Sequence, residues 1–154
     1  MRKLIGALGA LAMAAAALVA TTPSAQGSVY LGIYAIKTLG NNYCIADSDD
    51  GLWMPVCNPR NRIGQQWDVN APPNSRVFSN RGWVHDCIDD SVNGLQALTC
   101  NGTPYQQFKL VSQSDGSAYV VNIKTNGCLT FGSGNIYASK CRGLHSQRFV
   151  LVEI

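Results

Sequence analysis

"CNGTPYQQFKL", residues 100–110, places a glutamine six positions after a cysteine and an aromatic ring two positions after the glutamine. "CRGLHSQRFVL" at 141–151 repeats the arrangement, and "CNPRNRIGQQWDV" at 57–69 repeats it with two residues inserted. The three glutamines, Gln65, Gln106 and Gln147, are 41 positions apart in each interval. Working outward from them, Cys44 and Cys57, Cys87 and Cys100, and Cys128 and Cys141 are each 13 positions apart. A branched aliphatic follows the first cysteine of every pair: Ile45, Ile88 and Leu129. Three independent features sharing one period mark an internal triplication.

The triplication selects the cysteine pairing. Six cysteines allow 15 pairings, and the economical one keeps each bridge inside its repeat: 44–57, 87–100 and 128–141. Each bridge closes a loop for which chain entropy alone gives roughly 3 kcal/mol. Zinc sites use much closer cysteines, so a metal reading of these pairs is set aside. Disulfides belong to oxidising compartments, and the N-terminus agrees. Arg2 and Lys3 precede the uncharged run "LIGALGALAMAAAALVA", and small residues follow, with Ala25 and Gly27 at the expected cleavage positions. Residues 1–27 therefore read as a bacterial-type signal peptide, with cleavage near Ala25–Gly27, and the protein as secreted. The expected domain is 28–154, in repeats of about 28–73, 74–116 and 117–154. It is expected to be a monomer that leaves the membrane once the leader is removed.

Local patterning predicts strands throughout. "GIYAIKT", "SAYVVNIKT" and "RFVLV" are β-branched or aromatic runs bounded by Asn, Gly and Ser turns, and no stretch of the mature chain holds a helical period. Alternation puts Gln65, Trp67 and Val69 on one strand face, with Gln106, Phe108 and Leu110, and Gln147, Phe149 and Leu151, as their counterparts. The rings are expected to meet as a core. A glutamine on a buried face must have its amide paired, which predicts that it ties the strand to its own loop.

Three cysteine-paired repeats, each closing on Gln-x-aromatic, resemble the ricin-B-type β-trefoil lectins. The resemblance covers the whole mature chain. "CIDDSVNGLQALTCNGTPYQQFKL" is the nearest repeat, and "YVVNIKTNGCLT" resembles the family's entry into one. It implies an all-β β-trefoil of twelve strands, six in a barrel and six in capping hairpins. It also implies a non-catalytic carbohydrate-binding protein with a glycan or polysaccharide partner. A family sugar site uses an Asp two residues after the first cysteine, an aromatic two before the second, and an Asn before the motif glutamine. This chain has Ala46, Asp89 and Thr130 at the first position, Pro55, Leu98 and Ser139 at the second, and Gly64, Tyr105 and Ser146 at the third. No repeat is complete. Asp89 and Gln106 are the expected polar contacts. Trp53 and Tyr137, four before the second cysteine, and Tyr105 are the expected stacking rings. Trp83, in "RGWVHDC", reads as core or hairpin packing.

Other chemistries are poorly supplied. Without the leader, 10 basic residues face 9 acidic ones and no basic run exists, which argues against nucleic acid. Glu153 is the only glutamate, and the candidate aspartates, Asp47, Asp49, Asp50, Asp89 and Asp90, fall near predicted turns, so no paired-carboxylate site is expected and the protein reads as a non-enzyme without cofactor. "DSDDG", 47–51, lacks the spacing of a calcium loop and reads as a solvated acidic turn. With His85 and His145 as the only histidines, no metal site is expected. The competing reading is a secreted β-trefoil protein-interaction factor, an inhibitor or surface-associated protein, using the loops "NPRNRIG" and "GLWMPV".

Overall fold

A computed structural model describes residues 28–83 and 86–154. The leader and His85 lie outside the described residues. Among these residues the chain forms ten strands and three short 3-10 turns. The strands are β1 (Val29–Thr38), β2 (Trp67–Ala71), β3 (Val77–Asn80), β4 (Asp86–Ser91), β5 (Gly94–Thr99), β6 (Phe108–Ser112), β7 (Ala118–Asn122), β8 (Gly127–Gly132), β9 (Asn135–Lys140) and β10 (Arg148–Glu153).

Six strands close a barrel, two from each repeat. β1 pairs with β2, β2 with β3, β6 with β7, β7 with β10, and β10 with β1, all antiparallel. The remaining seam, β3 to β6, closes through one bridge. Arg76 N–H donates to the Phe108 carbonyl at 2.6 Å, and Phe108 N–H donates to Arg76 at 2.8 Å. That bridge brings the two ends of the sheet together into a barrel. β4–β5 and β8–β9 are the hairpins of the second and third repeats.

The first repeat departs from the twelve-strand expectation. Its hairpin is reduced to isolated bridges, Tyr43 to Val56 and Ala46 to Trp53. Pro55 sits between the two bridged positions and has no N–H to give a ladder.

The core reads as threefold sets. Ile36, Phe78 and Val120 come from the first barrel strands, Ile45, Ile88 and Leu129 follow the cysteines, and Trp67, Phe108 and Phe149 close the motifs. All nine are fully buried. Phe78 and Phe108 meet with ring centroids 6.0 Å apart, a favourable aromatic separation. The three disulfides pair as the repeat predicts, with Cα atoms 4.9, 5.0 and 5.1 Å apart.

The motif glutamines are all fully buried, but the strand expectation needs correcting. Each stands at the end of a 3-10 turn, Ile63–Gln65, Pro104–Gln106 or His145–Gln147, and the strand begins after it. From there each amide clamps the backbone on both sides of the repeat's second cysteine. Oε1 accepts from the N–H of Asn58, Asn101 or Arg142, at 2.6, 2.8 and 2.8 Å. Nε2 donates to the carbonyl of Val56, Thr99 or Lys140, at 2.9, 3.1 and 2.9 Å. The glutamine thus ties strand to loop, as its burial requires.

Candidate functional site

Three segments of chain meet beside the first motif glutamine. The Gly64 carbonyl gathers them: it accepts from Asp47 N–H at 3.0 Å and from Asn80 Nδ2 at 2.8 Å. Asn80 Oδ1 in turn accepts from the N–H groups of Gly82 and Trp83, at 2.8 and 3.1 Å. The first-repeat hairpin, the 3-10 turn and the turn after β3 are so locked around a cleft of about 320 Å³. Trp53, Pro55, Asn61, Arg62, Gly64 and Trp83 wall it, with Asp47 at its side.

Gly64 is needed for this approach. A Cβ there would lie 2.5 Å from the Asp47 carbonyl oxygen and 3.2 Å from Cζ3 of Trp83. Trp83 is further held by its indole N–H, which donates to Asp49 Oδ1 at 2.9 Å. Trp53 exchanges backbone bonds of 3.0 Å each with Ala46, and 43% of it is exposed.

Asp47 is the unusual group. It is only 4% exposed; Oδ1 accepts from Ser48 N–H at 3.0 Å, and Oδ2 is buried with no hydrogen-bond partner. Burial is the main reason its carboxyl is pushed up to about 6; nearby Asp86 and Asp49 add to the rise and the Ser48 N–H opposes it. A buried acceptor without a donor is costly. A small turn of the side chain toward the cleft would let a ligand hydroxyl supply that donor.

The threefold-related places show how particular this is. At the second-repeat corner, Asn122 from the start of the third repeat makes the equivalent bonds, Nδ2 to the Tyr105 carbonyl and Oδ1 from the N–H groups of Lys124 and Thr125. Thr125 therefore stands where Trp83 stands, and Asp90 where Asp47 stands. There the Thr125 hydroxyl donates to Asp90 Oδ2, so the carboxylate is satisfied within the protein. In the third repeat Phe131 takes the aspartate's place and stacks on Tyr43, with centroids 5.3 Å apart. The adjoining cavity of about 390 Å³ is lined by Phe131, His145, Ser146 and residues 38–41, with no carboxylate.

The sequence-predicted residues divide accordingly. Trp53 lies on the open cleft. Asp89 is buried in β4, opposite Gln96, with Oδ1 unpartnered. β4 packs against the turn that carries half-buried Tyr105 and buried Gln106. Asp89, Tyr105 and Gln106 thus lie on neighbouring elements of the second repeat, but none of them lines the clefts described. Gln106 spends both ends of its amide on backbone. Tyr137, 45% exposed, pairs with Thr130, whose hydroxyl is occupied by Ser139 and Gln147.

One sequence reading is corrected: Asp47 is a buried member of the cleft and not part of a solvated turn. Trp83, expected in core or hairpin packing, is half-buried and also walls the cleft. The signal that could have found them is the Trp at 83 aligned with Thr125 by the repeat, an aromatic substitution at one position of three.

No protein-family model matches the chain, and no curated protein does. Solved structures do resemble it. A designed threefold-symmetric protein, ThreeFoil, superposes with a TM-score of 0.69 at 16% identity, over 80% of this chain and 99% of that one. SeviL, solved bound to asialo-GM1 saccharide, gives 0.63 at 12%, over 79% and 97%. An endo-β-galactosidase from Clostridium perfringens that releases GlcNAcα1-4Gal gives 0.70 at 13%, over 80% of this chain and 33% of the enzyme. The protein is an all-β β-trefoil of three disulfide-bonded repeats, a fold shared with carbohydrate-binding proteins. Its disulfides suit an oxidising, extracellular setting. Among the described residues no helix is long and apolar enough to cross a membrane.

Proposed function

We propose that this is a secreted, non-catalytic carbohydrate-binding protein whose glycan site is the first-repeat cleft between Trp53 and Trp83. One observation carries the reading: Asp47 Oδ2, buried and without a donor, beside two tryptophans on an open cleft. A sugar offers hydroxyl donors on its edges and an apolar C–H face. The first suits an orphaned carboxylate and the second suits an indole. SeviL's saccharide complex on the same fold supports the class of ligand without naming it. The leader expected at residues 1–27 would export the chain to where glycans are displayed.

A glycan array with the purified, oxidised protein tests this. Binding should fall to background for Asp47→Asn and Trp83→Ala, and Asp89→Ala should leave it largely intact. Loss in Asp89→Ala alone would move the site to the second repeat. The competing reading, a protein partner on the same loops, is favoured by the exposed apolar rim residues Val56 and Ile63, each 56% exposed. A silent array together with a partner retained through Ile63 would establish it instead.

A further inference from the structure

Resting on that reading, we infer that the first-repeat site holds a stretch of neutral glycan chain, with consecutive sugars on the two sides of Trp53, and not a single terminal sugar. Trp53 borders two concavities. One is the cleft already described, and the other, of about 360 Å³, is bounded by Ser48, Asp50, Gly51 and Trp53. Ser48 and Trp53 belong to both, so the two meet at that pair of residues. The Trp53 backbone is fixed by its paired bonds to Ala46 while the residue stays 43% exposed. As the wall shared by both concavities, the exposed indole can give apolar surface to the C–H side of a sugar in each.

Each side also has its own acceptor. Asp47 Oδ2 is buried and unpartnered on the first, and Asp50 is exposed on the second. The second concavity has a defined wall. Ser48 and Gly51 exchange backbone bonds of 3.2 and 2.8 Å, and the Ser48 hydroxyl donates to the Gly51 carbonyl at 3.1 Å. Gly51 turns at a φ of +95° with no atom within 4 Å of where a Cβ would stand, so the concavity is unobstructed on that side. A site for one terminal sugar would need a wall beyond Trp53, and here there is a second bay. Three aspartates, 47, 49 and 50, run along this edge, and their charge disfavours uronic acid chains.

Calorimetric titration with glucose, galactose, xylose and N-acetylglucosamine, and with their homo-oligomers of two to six residues, tests the inference. For a backbone that binds, affinity should rise by about tenfold or more between one residue and three. Asp50→Ala, in an exposed turn, should lower oligomer affinity by roughly three- to tenfold and leave the monosaccharide unchanged. Trp83→Ala should weaken both. A monosaccharide binding within about twofold of its oligomers, or Asp50→Ala weakening both equally, would overturn the chain reading while leaving the glycan site standing. No binding by any probe, with intact folding by circular dichroism, would remove the glycan site and this inference with it.

Discussion

Asp47→Asn should stabilise the protein at neutral pH while abolishing its ligand binding. The carboxyl is held near 6 in the folded state, against about 3.9 for an unperturbed aspartate. A group with a raised folded-state value binds its proton more tightly when folded, so its contribution is most favourable below about pH 4 and is lost as pH rises toward 6. Two units fully expressed would be about 3 kcal/mol. The cleft is open to water on one side, which screens the charge, so about 1–2 kcal/mol is expected. Asparagine keeps the Oδ1 acceptor for Ser48 N–H and removes the buried charge. Urea unfolding of the disulfide-intact protein at pH 8 should therefore show the variant more stable by that amount, with the difference shrinking toward zero by about pH 4. A variant less stable than the parent at pH 8, or a difference independent of pH, would refute the account of Asp47 as a buried carboxylate whose charge is costly.

Gln106→Leu removes the clamp on both sides of Cys100 and leaves Asn101 N–H and the Thr99 carbonyl without their partner. At about 1–3 kcal/mol for each stranded group, and with partly exposed neighbours, a loss of about 2–4 kcal/mol in urea unfolding is expected; a loss below about 0.5 would show that water replaces the amide. Phe78→Ala, which empties a fully buried place against Phe108, should cost about 3–5 kcal/mol by the same measurement. Gly64→Ala forces a Cβ to within 2.5 Å of the Asp47 carbonyl oxygen. It should destabilise by about 1–3 kcal/mol and alter tryptophan fluorescence through Trp83; an unchanged spectrum and unchanged stability would show that the three segments are not locked.

Much of the fold was legible because it depends on spacing. The positions of Cys44, Cys87 and Cys128 and of the three glutamines recur at nearly one period, and a repeat that cannot bury its apolar face alone must pack against its copies. The burial of Gln65, Gln106 and Gln147 and the pairing of the sulfurs followed from that. The 3-10 turn under each glutamine did not, because alternation over three residues fits a strand and a tight turn leading into one equally well. The first-repeat hairpin was overcounted because a single proline, Pro55, weighs little in a pattern and much in a hydrogen-bonded ladder.

The candidate site was half legible. Trp53 could be picked from its place before Cys57, but "DSDDG" carries nothing local to mark Asp47 as buried. Its surroundings come from Gly64, 17 residues on, and Trp83, 36 residues on. Asp47 and Asp90 hold the same place in their repeats, and only the neighbour across the cleft, Trp83 or Thr125, decides which carboxylate is satisfied. The order of residues by itself determined the threefold architecture, its sulfur bridges and its ring of core aromatics, since these depend on periodic burial and on cysteine separation. Which of three similar corners stays open, with an acceptor lacking a donor, was decided only by tertiary structure. Solvation and hydrogen-bond satisfaction belong to the side chains that folding brings together, and those are distant in the chain.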